Sequence, residues 1–527
     1  MAGREALRNA AWDEARARFE EAAATSDAPE TWEGLSRAAW WQGDQHRTLA
    51  ARDRAYRAYR AAGDIRGAAR MAMWLSSDHL DFRGDEAVAS AWLRRGRELV
   101  RKQQPCSERG YITLLEADQA LQVASDPLVA EGLAREALEL ARGIGDVGVE
   151  VVALAILGSA LVASGAVDEG MHRLDECSAM AVGEDFAEIA APGWALCHTV
   201  SACAEVGDFG RAEQWCRALH TWSAQWRARH IFGICRTVYG DVLVTGGDWS
   251  TAEEELLSAL NDLRATRPAL AGTAAIRLGR LRVRQGDTVI ARSLFESALP
   301  RPHAILALGE LDLASGDAAA ATDSADRVLR RAGERSILDR FAALELLARA
   351  RAVVGDGNGA DAAATRMETE AARLATPYMR GRARMVRARV LSAAGNHDGA
   401  RQAAEDATDL FTACSAPYEA ADARLLLSSV LEALGRPERA DAEARAARAA
   451  RELLRTGARA PRAKAELTAR ETDILRLVAQ GLRDTQIAGR LFLSPHTVHR
   501  HIANIRTKFD VPSRAAAVAH ATREHLL

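Results

Sequence analysis

LGRLRVRQGDTVIARSLFESA, residues 278–298, holds the pattern on which the fold turns. Gly286 can take the left-handed conformation that ends a helix, and Asp287 beside it is a favoured residue for starting the next. Ala291, Phe295 and Ala298 then recur at helical spacing on one face, while Leu278 and Gly279 stand eight and seven residues before the turn. The stretch reads as a helix, a tight turn and a second helix, with small residues where the two cross closely. The same signal of Gly, usually Asp, three variable residues and Ala recurs along the chain. It appears as GDEAVA at Gly84, GDFGRA at Gly207, GDWSTA at Gly247, GDAAAA at Gly316, GDGNGA at Gly355, GNHDGA at Gly395 and GRPERA at Gly435. Degenerate copies stand at Ser125, Gly165, Gly43 and Ala10, and most neighbouring copies lie about 40 residues apart.

A pair of helices cannot bury its apolar faces alone, so the copies must stack into a superhelix. The Leu-Gly pairs at 157–158, 278–279 and 308–309, with Ala252, Leu256 and Ala259 after Gly247, match the W-x2-L-G-x2-Y and A-x3-F-x2-A positions of the tetratricopeptide repeat. The array resembles that family over residues 5–455, with a longer period than the usual 34. Composition agrees: the 527 residues are 48% apolar and 5% aromatic, rich in Ala, Leu, Arg and Glu, which favours helix over strand.

The net charge of −3 hides an asymmetry. Of 69 basic and 72 acidic residues, 12 and 6 fall from Arg459 onward, which leaves 57 and 66 for the rest: the body is acidic and the end basic. Five of 13 histidines, His496, His499, His501, His520 and His525, also fall there. Seven cysteines without a C-x-x-C pair point to a reduced, cytoplasmic protein. Cys197, His198, Cys203 and Cys216 fit no zinc spacing, so neither metal nor cofactor is expected. The first residues lack the apolar core of a signal peptide. The uncharged run 151–167 is short for a membrane span, and a buried helix is expected there.

Gly457 and Pro461 break the helical pattern, and residues 456–465 read as a linker. A compact module at 466–527 follows. Thr468 with Glu471 makes a capping box ahead of a helix with Ile474, Leu475, Leu477 and Val478 on its buried stripe. Gly481 stops it. A short helix over Asp484 to Phe492 turns Ile487 and Leu491 inward, with Ala488 at the crossing. Ser494 caps a third helix with Pro495 at its first position, and Val498, Ile502, Ile505 and Phe509 face its core. His499, Arg500, Ala503, Asn504 and Arg506 are left outside, and a basic exposed helix of this kind suits the major groove. This segment resembles the LuxR-type DNA-binding domain. It holds that family's L-T-x-R-E, A-x-G-L, I-A-x-R-L, S-x-x-T-V and S-R positions at Leu467, Thr468, Arg470, Glu471, Ala479, Gly481, Leu482, Ile487, Ala488, Arg490, Leu491, Ser494, Thr497, Val498, Ser513 and Arg514. Ala503, Asp510 and Arg483 depart from the family's pattern, and Asp484 is placed to cap in place of Arg483.

The expected fold is therefore all-α, a tetratricopeptide-like superhelix followed by a small four-helix helix-turn-helix domain. The resemblance implies that His499 and Arg500 face bases, that Thr497, Arg506 and Lys508 lie near phosphate, and that Ser494 and Asn504 complete the DNA-facing set. It also implies a homodimer on double-stranded DNA, pairing through the helix after Ser513 with Val518 and Ala521 available. No catalytic residues are expected: G-x4-G-K-[ST] is absent, and the lysines are Lys102, Lys464 and Lys508. The alternative is a protein-interaction scaffold without specific DNA binding. The repeat register makes Trp12, Trp32 and Trp249 core residues. Trp40, Trp41, Trp74 and Trp194 stand 3, 2, 10 and 13 residues before their caps, which rotates them toward the concave groove, where they would anchor a protein or small-molecule signal.

Overall fold

Helices and the turns between them build the chain in this computed structural model. It describes residues 2–183, 186, 190–226, 229–332, 336–456, 469–480, 482, 484–491, 498, 501–502, 505–506, 509 and 514–523. Two compact units are present, Met1–Asn396 and His397–Leu527.

The Gly-Asp signal does what its chemistry requires. Gly84, Gly207, Gly247, Gly286, Gly316, Gly355, Gly395 and Gly435 all have φ between 69° and 95°. The degenerate copies take the same conformation, with φ of 52° at both Ala10 and Ser125. The following Asp accepts a hydrogen bond from the backbone N–H three residues on at Asp287 to Ile290 (3.1 Å), Asp317 to Ala320 (2.9 Å) and Asp356 to Gly359 (2.9 Å), whereas Asp85 starts its helix without a side-chain cap. Two further Gly-Asp pairs, at 63–64 and 145–146, lie outside the repeat pattern because they join the second helix of one pair to the first helix of the next. Close crossings explain the Leu-Gly pairs: a Cβ added at Gly158 would stand 2.8 Å from the Gly170 carbonyl oxygen, and one at Gly279 would stand 2.4 Å from the Phe295 ring.

In the first unit the pairs wind into a tetratricopeptide-like superhelix whose first helices form the inner wall. Val147–Ser164, the helix that takes in most of the uncharged run and ends before its last three residues, is long and apolar enough to cross a membrane by composition, and it is mostly buried in the core of this unit. Apolar burial on this scale is what holds such an array together. Successive superhelical turns touch: the Trp12 indole N–H donates to the Trp226 carbonyl (3.1 Å), and Arg373 donates to the Ser164 carbonyl (2.6 Å).

The second unit holds the three helices His397–Ala413, Pro417–Ala433 and Pro437–Thr456, and the C-terminal domain with helices Ala469–Ala479, Asp484–Leu491 and Arg514–Arg523.

Candidate functional site

The C-terminal domain closes over a small apolar core. Ile474, Leu475 and Val478 come from its first helix, Ile487 and Ala488 from its second, and Val498, Ile502 and Ile505 from helical residues between the second and the last. Leu477, Leu491 and Phe509 pack on its edge, so the inward stripes are those read from the sequence. Arg514 ties the last helix to the second: one nitrogen pairs with Asp484 Oδ1 at 2.5 Å and the other donates to the Leu482 carbonyl. Arg506 is exposed at the edge of the stripe formed by Ile502 and Ile505. An exposed guanidinium beside a buried stripe is a group that can pair with phosphate when such a segment lies against an anionic surface.

Residues 465–521 match the family described as bacterial regulatory proteins, luxR family. This is a LuxR-type DNA-binding domain. The same segment is 44% identical over 61 residues to the transcriptional regulatory protein LiaR of Bacillus subtilis, covering 12% of this chain and 29% of LiaR. It is 51% identical over 51 residues to the nitrate/nitrite response regulator protein homolog of Haemophilus influenzae, covering 10% of this chain and 24% of that one. A Mycobacterium tuberculosis protein described as an HTH-type transcriptional regulator is 46% identical over 57 residues, 11% of this chain and 6% of its own length. The chain thus spans less than a third of these relatives. Among solved structures, a Rap protein complexed with competence and sporulation factor is similar over 74% of this chain and 99% of its own, with a TM-score of 0.41 and 13% identity. The apo quorum sensor NprR of B. thuringiensis covers 64% and 97%, at 0.39 and 11%.

Of the DNA-facing residues, Arg506 is described and exposed; Ser494, Thr497, His499, Arg500, Asn504 and Lys508 lie outside the described residues, as do Thr468 and Pro495. One expectation is corrected. Ala521 is fully buried in the core of its own LuxR-type domain and is not available to pair with a second copy, because the last helix needs that face to close the domain; Val518 is half-buried against the same core.

The tryptophans are also corrected. Trp12 and Trp249 are core, as expected, but Trp32 is half-buried, its indole N–H bonded to Asp27 (2.7 Å) and Arg54 stacked on its ring. Trp40 and Trp41, expected in an open groove, are 8% and 5% exposed. Trp41 stacks on Trp12 at 4.9 Å, and Trp40 packs edge-on against both Trp41 and Trp74. Neighbouring helices cover both rings, Trp12 over Trp41 and Trp74 beside Trp40, and Arg267, distant in sequence, lies over Trp40 at 5.1 Å. Trp74 and Trp194 are half-buried. The Trp194 N–H donates to His198 Nε2 (3.1 Å), which lies 3.3 Å from Asp118.

Beneath these rings sits a group of charges that sequence reasoning did not find. Asp78 and Arg52 are 0% and 2% exposed and pair at 3.1 Å. Arg267, 1% exposed, lies over the Phe82 ring at 4.0 Å and within electrostatic reach of Asp78 and Asp81. Burial raises the Asp78 carboxyl against the pull of Arg52 and Arg267, and lifts Asp81 to about 6. The partners come from chain segments far apart in sequence, so no local motif announces them.

Among the cysteines, Cys197 and Cys235 bring their sulfurs to 3.7 Å, and burial raises Cys203 and Cys216. No group of three or more His, Cys, Asp or Glu among the described residues is placed to hold a metal ion.

Proposed function

We propose that the protein is a cytoplasmic transcription regulator in which an array over 5–455 receives a protein or small-molecule signal, a linker at 456–465 follows, and a LuxR-type domain at 466–527 reads double-stranded DNA. The observation that carries this reading is the family match over 465–521 together with the closed apolar core that the same residues build. Base contacts fall to His499 and Arg500, and phosphate contacts to Thr497, Arg506 and Lys508, with Ser494 and Asn504 beside them. A homodimer on DNA would space its half-sites by about one helical turn, roughly 10 base pairs. Ala521 is used inside its own domain, so pairing through the helix after Ser513 would use other residues of that helix.

Footprinting of the full-length protein on genomic DNA tests the reading. Arg500→Ala is expected to lower specific affinity by about 1–3 kcal/mol and relax sequence preference, as for loss of a bidentate guanine contact. Arg506→Ala is expected to weaken all sequences alike and reduce the salt slope. Identical behaviour of the two variants would refute the assigned roles, and absence of salt-dependent DNA binding would leave a scaffold.

A further inference from the structure

In the second half of the first unit the superhelix closes on itself. The Thr376 hydroxyl donates to the Val206 carbonyl (2.6 Å), and Phe209 and Tyr378 meet edge-to-face at 5.0 Å. These contacts join the start of the helix Pro377–Ala393 to the end of Ala190–Val206. Between them Arg229–Gly246, Ala271–Gln285, Pro302–Ala314 and Ile337–Val353 pack each against the next, so the first helices of successive pairs form a ring.

Charged and titratable side chains from five of these helices converge within it: Glu205, Asp241, Arg277, Arg280, His303 and Asp339. Glu205 senses Arg277, Asp339, His198 and Asp241; His303 senses Arg280, Asp339, Arg277 and Asp241; Arg280 senses Asp241, Arg277 and Arg382. Arg277 and Asp241 pair directly at 2.6 Å. Arg382 is held by Glu345. Glu205, Arg280 and His303, by contrast, make no hydrogen bond or ion pair with any described residue.

Two facts about Glu205 and Arg280 belong together. Both side chains are exposed, yet loss of bulk hydration is the largest influence on each, lifting Glu205 to about 7 and lowering Arg280. A group that water reaches but that protein surrounds faces an enclosed, wet interior. His303, half-buried beside the guanidinium groups, is pushed down to about 4 and is neutral at pH 7. The interior thus offers an unengaged guanidinium with its donors free, and the unpaired Glu205 and Asp339 carboxyls on other helices. A ligand that brings charge of the opposite sign to each of these groups replaces the bulk hydration they have lost. A dianion would meet Glu205, Asp241 and Asp339, and a polycation would meet Arg277, Arg280 and Arg382. A molecule with one anionic and one cationic end satisfies both.

We propose that this ring is the receptor site of the array and takes a zwitterionic ligand, an amino acid or short peptide with free ammonium and carboxylate groups, its carboxylate on Arg280 and its ammonium on Glu205 and Asp339. The assignment rests on the reading of the array as a signal receiver and gives that signal a chemical class. Phe209 and Tyr378 supply an aromatic wall at the rim. Since the ammonium favours ionised Glu205, binding near pH 6.5 releases a proton from that side chain.

The test uses full-length protein and calorimetry in buffers of different ionisation enthalpy. Three probes are compared: the twenty amino acids, a pentapeptide library with free ends, and the same library acetylated and amidated. One of the two free-ended probes is expected to bind with proton release, and which of them binds decides between amino acid and peptide. The blocked library should not bind. Arg280→Met should weaken binding at least ten-fold, Arg280→Lys less so, and Glu205→Gln should remove the proton release. Neither residue bonds to a described neighbour, so helicity by circular dichroism should be unchanged; if Arg280→Met fails to fold, Arg280→Lys decides by its own smaller, but measurable, weakening. Failure of both free-ended probes, equal capture of the blocked library, or unaltered affinity in the Arg280 variants overturns the proposal. A small-molecule extract fraction that alters DNA binding equally in wild type and Arg280→Met overturns the site while the receiver reading stands.

Discussion

Arg267→Met probes the contact that covers the first tryptophans. Methionine keeps most of the volume of the arginine stem, so the cavity contribution is small. What is lost is the charge. The guanidinium lies 4.0 Å from the Phe82 ring centre and 5.1 Å from that of Trp40, and at 1% exposure such a contact is worth about 2 kcal/mol. Its removal also leaves Asp78 and Asp81 with Arg52 as the remaining cation that pairs with Asp78, and Asp81 already stands at about 6. Taking one partner from a buried charge group costs about 3–5 kcal/mol, and this range already includes the ring contact because the terms are not independent. The loss is expected to be local, since a repeat array opens in sections. Hydrogen exchange at pH 7 should show reduced protection in Pro29–Gln42 and Ile65–Asp78, and urea titration should show Trp40 and Trp74 fluorescence changing before helicity falls. In an Asp78→Asn, Asp81→Asn background the same substitution should cost far less. Unchanged protection in those two helices, or an effect fully additive with the two Asn substitutions, would refute the reasoning.

Trp40→Ala is expected to destabilise the array by about 3–5 kcal/mol, read as an early step in the same urea titration, because a buried aromatic is truncated rather than a groove anchor removed. Arg514→Ala should cost about 1–3 kcal/mol of stability in the LuxR-type domain and reduce DNA binding only in step with its unfolding, seen by comparing gel shifts with thermal melts, because Arg514 ties Asp484 and the Leu482 carbonyl to the last helix. Glu205 has its folded pKa raised to about 7 from an ordinary 4.5, so its contribution to stability is complete below about pH 4.5 and is lost as the pH rises through 7. Glu205→Gln, which resembles the protonated form, should therefore melt with wild type at pH 4.5 and increasingly above it toward pH 8. His198, Asp241, Arg277 and Asp339, which surround it, are common to both proteins, so the difference isolates Glu205.

What could be read from residue order alone was everything decided within one turn of helix or one tight turn. The left-handed caps at Gly286 and even at Ser125, the Asp N-caps, the crossing at Gly279 and the inward stripe of Ile474, Leu475, Ile487, Ile502 and Ile505 depend on neighbours a few residues away, so spacing and residue chemistry determine them. The LuxR-type domain was legible for the same reason. The tryptophans show where this stops. Local register turns Trp40 and Trp41 off the face that packs within their own helix pair, but what lies there depends on the assembled array: Trp12 stacks on Trp41 and bonds to Trp226, 214 residues on, while Arg267 comes to lie over Trp40. The Arg52, Asp78, Asp81 and Arg267 group and the ring around Glu205 and Arg280 have the same origin. Small rotations per repeat accumulate until distant segments meet, and only the assembled superhelix determines which charges are buried, which are paired and which are left facing an enclosed space.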